Sequence, residues 1–534
     1  MKFFNTTGPI NPEEHYYIPH RLNEEEIRNL INQKKYFILH APRQSGKTTG
    51  IIDFVKRLNQ EGIYTALYVN VEPAQAARSD VKNGIESILE EINECGKLFL
   101  DKDDPLFKCA QKSLKHISIS SLKKLLQDWS SSSSKPIILF IDEIDSLVGD
   151  TLISVLRQIR AGYTNRPKSF PQSICLIGVR DVRDYRIWSD EQQATILGGS
   201  AFNIKAESLT LPDFTPAQVK DLYLQHTQET GQEFTQEAID YAFHLTQGQP
   251  WLVNALAYQA CFRDPLMSKG FDIPDPAKLV TKEVIERAKE TLIGRQDTHL
   301  DVLISRLHEQ RVYAVIDAIL SSNIENPTFT EDDVKYVVDL GLVKRDAKNI
   351  WIANPLYQEI LPRAISANYQ GRLGGRSVDY IDQNGSLNMK KLLEKFTQFY
   401  RENSAAWLAD AVYKESAPHI ILMAFLQRVI NGGGNIHREY ALGRKRVDLL
   451  VTWPQTLRLN PGQVKQRIVI ELKIWHSPKT LAEGLLQTAE YMDSSNATEG
   501  HLVIFDRRPN RSWDEKVYHR QEQIHTKIIE VWGM

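Results

Sequence analysis

Short apolar runs set the rhythm of the N-terminal half. Tyr36–Leu39, Tyr64–Val71, Ile137–Ile141 and Ser173–Val179 are nearly uninterrupted hydrophobic segments, too short for buried helices. Turn residues or carboxylates bound them, so they read as strands buried on both faces. Between them, Gly50–Leu58 and the stretch 80–128 have helical patterns with charged faces. Strands alternating with helices predict an α/β fold with a parallel sheet covered on both sides. The serine run Ser130–Ser134 is expected to be an exposed loop. From Thr215 the pattern turns helical, breaks at Gly248-Gln249-Pro250-Trp251 and resumes at Leu252.

Residues 295–365 predict a small helical module ending in a hairpin. Asp332–Leu340 reads as a helix, Gly341–Val343 as a strand, Asp346–Asn349 as a turn and Ile350–Ile352 as the returning strand, which is the order of a winged helix. Gln370–Asn388 is rich in Gly, Asn, Asp and Ser and marks a boundary. The remainder, to Met534, reads as mixed α/β. The expected division is a core over 1–205, a helical segment over 206–290, the winged-helix-like module over 291–368, a linker over 369–388 and a C-terminal domain over 389–534. The length of 534 residues predicts roughly three domains.

Composition narrows the class. Hydrophobic residues at 42% and charged residues at 25% allow each domain a real core. A net charge of -2 excludes a protein that coats nucleic acid over its whole surface, so any such contact must be local. The cysteines Cys95, Cys109, Cys175 and Cys261 form no C-x-x-C pair and read as free thiols in a reducing compartment. Neither a signal peptide nor a membrane-spanning run is recognisable, and a cytoplasmic location is the expectation.

The first chemical motif follows the first strand. Ala41-Pro42-Arg43-Gln44-Ser45-Gly46-Lys47-Thr48-Thr49 stands where a phosphate-binding Walker A loop would, between a strand and a helix. Backbone N–H groups of such a loop surround phosphates, Lys47 reaches the β- and γ-phosphates, and the Thr48 hydroxyl holds Mg2+. Ala41 departs from the pattern, replacing its first glycine. The strand Ile137–Ile141 ends in Asp142-Glu143, as a Walker B element requires: Asp142 beside the Mg2+ shell, Glu143 polarising the attacking water. Arg180, Arg183 and Arg186 cluster after the next strand, and one of them, Arg180 first, can sense the γ-phosphate or reach a neighbouring subunit of a homo-oligomer. Surface salt bridges account for that cluster equally well. Arg157 and Arg160 are weaker candidates of the same kind.

Gly8-Pro9, His15-Tyr16-Tyr17-Ile18-Pro19, the loop Pro42–Thr49, Asp142-Glu143 and Gly248-Gln249-Pro250-Trp251-Leu252-Val253-Asn254 together resemble the AAA-like ATPases of the AAA+/STAND group, over residues 1–265. That resemblance implies a P-loop NTPase sheet binding ATP with Mg2+. It also implies a helical lid marked by Gly248 and Pro250, and a winged helix after the lid.

A second motif lies near the C-terminus. Arg446–Val451 and Ile468–Lys473 read as strands carrying Asp448 on one and Glu471 with Lys473 on the other. Glu471 and Lys473 share a face at i and i+2, while Leu472 points to the opposite one. Two carboxylates can hold Mg2+ or Mn2+, and a lysine beside them can orient a nucleophilic water. The pattern resembles the PD-(D/E)xK nuclease superfamily. Gln487 and Tyr491, one helical turn apart, are similar to the Gln-x-x-x-Tyr element of several of its branches. Glu415 is the candidate further acid, with Glu402 and Glu439 as rivals. Arg428, Arg438, Arg444, Lys445 and Arg446, and separately Arg507, Arg508 and Arg511, can offer a local basic surface to a phosphate backbone or be simply solvated.

The combined expectation is an ATP-binding ATPase fused to a restriction-endonuclease-like domain that cuts DNA, in defence or mobile-element biology. The alternative is a signalling or scaffold ATPase whose C-terminal domain binds nucleic acid without cutting.

Overall fold

The structure is a computed structural model. It describes the chain except residues 190–193, 271, 296–302, 321–328, 348, 371–379, 383–384, 410–416, 431–434, 443–444, 455–464 and 509. It divides into two units, 1–296 with 335–343, and 297–334 with 344–534.

The first unit is built on a parallel sheet. Its strands are β1 (Tyr36–His40), β2 (Thr65–Asn70), β3 (Ile137–Asp142) and β4 (Ser173–Gly178), followed by a hairpin of β5 (Arg186–Ser189) and β6 (Ala194–Leu197), then β7 (Lys205–Thr210). The order β2-β3-β4-β1-β7 inserts β4 between the strand that leads into the phosphate loop and the strand that ends in Asp142-Glu143. The residues after β4 therefore emerge between those two motifs. β7 pairs with β1 from Tyr36 to His40. The core sheet thus extends past residue 205, where the sequence suggests a boundary; Lys205–Thr210 is mostly polar and lacks the apolar run of its neighbours.

Both faces of the sheet are covered. α1 (Glu24–Asn32) and α2 (Lys47–Glu61) bury Ile27, Leu30, Ile51, Phe54 and Leu58 against Phe37, Leu39, Ile138 and Phe140. On the other face lie α3 (Val81–Phe99), α4 (Pro105–Lys115), α5 (Ser121–Ser132) and α6 (Gly149–Gly162), packed on Ile38, Leu67, Leu139 and Leu176. The serine run is exposed at Ser131, Ser132 and Ser134, but its first part is helix and not the loop its composition suggests. α5 continues to Ser132 and buries Ser130, because Leu122, Leu125, Leu126 and Trp129 fasten that helix to the core. Packing overrides weak propensity here.

After the short α7 (Gly198–Ala201) come α8 (Pro216–Thr230), α9 (Gln236–Thr246), α10 (Pro250–Tyr258) and α11 (Lys282–Arg295); a small hairpin of β8 (Ser268–Gly270) and β9 (Ile273–Pro274) precedes α11. Gly248 has a backbone reason for being glycine: its φ is +79°, and a Cβ would stand 2.0 Å from the Phe214 carbonyl oxygen. The N-terminal segment packs here as well. Phe4 and Tyr16 contact His226 of α8, which is wholly buried. Tyr16 Oη lies 3.2 Å from His226 Nδ1, and Gln232 Oε1 lies 3.0 Å from Nε2.

Burial lowers the His226 pKa to about 4, against a usual 6.5. Above pH 6.5 the ring is neutral folded or unfolded and has no effect. As pH falls from 6.5 to 4 only the unfolded chain takes up the proton, so stability declines by on the order of 3 kcal/mol, then levels off. Urea unfolding at pH 7.5 and 4.5 should show this loss, and His226→Phe should flatten that part of the pH profile. An unchanged slope in the variant would assign the acid sensitivity elsewhere.

Further along are α12 (Gln310–Leu320), α13 (Glu331–Asp339), the hairpin β10 (Val343–Arg345) and β11 (Ile350–Ile352), and α14 (Pro355–Gln370). In the second unit, α15 (Met389–Ala409) and α16 (Ala417–Ile430) cover one face of a mixed sheet and α17 (Lys479–Ser495) covers the other. Its strands are β12 (Asn435–Leu442), β13 (Lys445–Pro454), β14 (Lys465–Ile474), β15 (Glu499–Phe505), β16 (Tyr518–Ile524) and β17 (Lys527–Gly533), in the order β12-β13-β14-β15-β17-β16. β14, β15 and β17 run parallel, and the remaining pairs are antiparallel. Among the described residues no helix is long and apolar enough to cross a membrane.

Candidate functional sites

The phosphate loop joins β1 to α2. Gly46 caps α2 with φ +91°, and a Cβ there would come within 2.6 Å of Arg21 Nη1. Arg21 is the loop's strap: it donates to the Ser45 carbonyl and to the Pro212 carbonyl, each at 2.6 Å, with its guanidinium 4.4 Å from the Phe214 ring centroid. Ala41 is buried and does not adopt positive φ, so this loop does not need a glycine there. Lys47 turns back onto the loop, donating to the carbonyls of Ala41 at 2.7 Å and Pro42 at 3.0 Å. Burial lowers its pKa, opposed by Asp142, Glu143 and Asp145. The Ser45 hydroxyl is buried without a partner. An ammonium on backbone carbonyls and an orphaned hydroxyl form a cradle that a phosphate chain would satisfy.

Asp142 ends β3, wholly buried. Its Oδ2 accepts from the Thr48 hydroxyl at 2.7 Å and the Tyr68 hydroxyl at 2.9 Å, and its Oδ1 accepts from the Glu143 N–H at 2.9 Å. With the Thr48 hydrogen committed to Asp142, the lone pairs of that hydroxyl are available to a cation, so these residues fit Mg2+. When bound, the ion offsets phosphate charge. Glu143 sits at φ +57°, outside the regular strand. Burial first, then Asp145 and Asp142, push its pKa up to about 7, where a carboxylate is a better base. Asp145 Oδ1 accepts from the Val179 N–H at 3.1 Å and so pins the end of β4.

The other predicted residues of this site are placed as follows. Arg43 and Gln44 are exposed on the loop. The Thr49 hydroxyl accepts from the Ile10 N–H at 3.2 Å, holding the N-terminal segment against the loop. Arg180 Nε lies 3.3 Å from Asp339 Oδ2, its guanidinium 4.8 Å from the Tyr336 ring, and its Nη2 is buried without a partner. Arg157 and Arg160 are exposed on α6. The side chains of Arg183 and Arg186 lie outside the described residues.

In the second unit, β13 and β14 are paired as far as Leu449 and Ile470, and the candidate residues follow immediately where that pairing ends. The Asp448 Oδ2 accepts from the Leu472 N–H at 2.8 Å, and Lys473 Nζ donates to Glu471 Oε1 at 2.7 Å. Glu471 is 3% exposed, and its Oε2 is buried with no partner. Burial, then Asp448, raise its pKa. Burial disfavours the charge on Lys473, but Glu471, Asp448 and Glu483 outweigh it and hold the pKa above the ordinary lysine value. Tyr491 is buried in the cluster formed by Leu450, Val469 and Leu502, and Gln487 Oε1 is buried without a partner.

Two carboxylates with an orphaned buried oxygen fit a divalent cation. Among the described residues no group of three or more His, Cys, Asp or Glu side chains forms a metal-binding cluster. Glu415 lies outside the described residues, as does the Glu439 side chain; Glu402 is exposed on α15. Arg444 and the side chains of Arg428, Arg438, Lys445 and Arg446 also lie outside them. Arg508 is bound to Asp506, with its guanidinium 4.8 Å from the Trp475 ring, and Arg511 lies 3.8 Å from Glu515. Arg507 is exposed.

The AAA-like domain family matches residues 5–362, more than half of the chain. The chain belongs to that family. Its AAA-like part is a P-loop ATPase that binds ATP, usually with Mg2+ in such proteins. Solved structures similar to it include the Walker-type ATPase PABY2304 of Pyrococcus abyssi, at 14% identity and TM-score 0.45, covering 67% of this chain and 99% of that one. Cdc6p from Pyrobaculum aerophilum is similar at 15% identity and TM-score 0.35, over 67% and 97%. The Thermotoga maritima RuvB Holliday junction branch migration motor is similar at 13% and 0.31, over 64% and 95%. Likeness at this level says nothing of what this chain acts on. No curated protein matches it.

Three residues of the AAA-like site have no sequence motif to reveal them. Arg21 lies in a polar N-terminal stretch, Tyr68 inside an apolar strand and Asp145 just past the acidic pair. The fold brings Arg21 to the phosphate loop and Tyr68 to Asp142, and sets Asp145 against the end of β4.

Proposed function

We propose that this chain is an ATP-regulated, metal-dependent nuclease acting on DNA. The observation that carries the reading is Asp448, Glu471 and Lys473 gathered where β13 and β14 part, with Glu471 Oε2 buried and unpartnered. Asp448 and Glu471 would hold Mg2+ or Mn2+, which supplies a polarised water and offsets phosphate charge. Lys473 orients that water, and Gln487 and Tyr491 support the site from α17. Residues 206–290 serve as the lid and 291–368 as a winged-helix-like module. The test is cleavage of supercoiled and linear DNA by the purified chain with Mg2+ or Mn2+, with and without ATP. No cleavage under any of these conditions, with ATP still bound, would favour a scaffold ATPase that binds nucleic acid without cutting it.

Arg180 is the proposed link between nucleotide and the later module. It stands after β4, between the two Walker motifs, yet its partners Asp339 and Tyr336 lie on α13. Just beyond that helix, Gly341 comes so close to Pro42 of the phosphate loop that a Cβ would stand 2.9 Å away. The γ-phosphate competes with Asp339 for the guanidinium, so α13 is released only by the triphosphate. Asp339→Asn should strengthen ATP binding several-fold, on the order of 1 kcal/mol, and leave ADP binding unchanged. Calorimetry with both nucleotides checks this; equal effects on ATP and ADP would remove Arg180 from γ-phosphate sensing.

A further inference from the structure

We propose that Tyr68 is a positioning residue for the nucleotide-bound Mg2+, acting through Asp142 and Thr48. The inference rests on the AAA-like ATPase site and not on the nuclease reading. Tyr68 pairs in register with Phe140, two residues before Asp142, so its ring lies on the same sheet face and points along the strands toward the acid. It is 7% exposed, packed against Phe99 at 6.0 Å between centroids, and its hydroxyl ends on Asp142 Oδ2. Near neutral pH a phenol carries its proton, and its only hydrogen is directed at the Asp142 carboxylate.

The hydrogen-bond inventory shows what this does. A carboxylate oxygen has two acceptor positions, and Oδ2 uses one for Thr48 and one for Tyr68. Oδ1 takes the Glu143 N–H. The carboxylate is held from both ends and cannot turn about its Cβ–Cγ bond without breaking a contact. The Thr48 hydroxyl, with a single hydrogen, must then spend it on Asp142. Its lone pairs are left directed outward, as a metal ligand requires. Without the Tyr68 hydroxyl, Oδ2 has a vacant acceptor position in a buried site, the carboxylate can rotate, and the Thr48 hydrogen loses its fixed target. Groups that orient a metal ligand in this way typically change metal affinity by about ten- to a hundredfold.

The experiment is calorimetric binding of ADP to the full chain across Mg2+ concentrations and in EDTA. Tyr68→Phe keeps the ring and its packing. It should raise the Mg2+ concentration at which ADP binding is half-maximally tightened by about tenfold, while ADP affinity in EDTA stays the same. In a Thr48→Ala background, Tyr68→Phe should add nothing. A Mg2+ midpoint unchanged by Tyr68→Phe would overturn the proposal, and so would an equal loss in EDTA or a full additional loss in the Thr48→Ala background.

Discussion

Glu143→Gln should lower ATP turnover by about two to four orders of magnitude while ATP still binds. The amide keeps the shape of the side chain at the end of β3 but cannot take a proton from water. Glu143 is suited to that role because burial and the neighbouring Asp145 and Asp142 push its pKa up to about 7. It does not hold the metal ligands: Asp142 receives only its backbone N–H, which the substitution leaves in place. Lys47→Ala should fail earlier, at nucleotide binding, because it removes the charge that meets the β- and γ-phosphates. Steady-state turnover beside equilibrium binding of ATP separates the two variants. Glu143→Gln hydrolysing ATP at the unmodified rate would show that another group activates the water, and the catalytic assignment of Glu143 would be dropped.

How much of this was legible in the sequence follows from how each feature is encoded. Four of the five parallel strands, the edge strand β2 among them, are continuous apolar runs, so their hydrophobic pattern marks them within a residue or two. Both Walker elements and the Asp448, Glu471 and Lys473 set lie at strand ends, where a polar group after an apolar run stands out. β7 is not legible because Lys205–Thr210 is mostly polar, with Ala206 and Leu209 as its only apolar residues, and offers no apolar run. The helical end of α5 was missed because serine composition says loop, while Trp129 and its neighbours say packing. Arg21 and Tyr68 were missed for a deeper reason. Their roles depend on contacts with residues distant in sequence, Arg21 with Ser45 and Pro212, Tyr68 with Asp142, and no local pattern records them. The Arg180 partner was hidden in the same way, since Asp339 belongs to a helix that sequence reading assigned to a separate module.

Asp448→Asn is expected to abolish DNA cleavage and leave ATP turnover unchanged. Asparagine is the instructive substitution because it retains an oxygen to accept the Leu472 N–H, which alanine would leave without its partner. The change therefore removes charge rather than a structural contact. With one of two carboxylates neutral, the site holds a divalent cation less tightly and loses several kcal/mol of charge stabilisation in the transition state, on the order of a thousandfold or more in rate. Asp448 also raises the pKa of Glu471, so its neutralisation makes Glu471 easier to ionise and keeps the Lys473 pair intact. A residual site of Glu471 and Lys473 would then bind DNA about as before while failing to cut it. Cleavage and DNA-binding assays on the same preparation, with Mg2+ and with Mn2+, read these two quantities separately. If cleavage persists in Asp448→Asn at the unmodified rate, the C-terminal metal site is misassigned. If the unmodified chain binds DNA but never cuts it, the same three side chains serve a nucleic-acid-binding domain whose work depends on the ATPase alone.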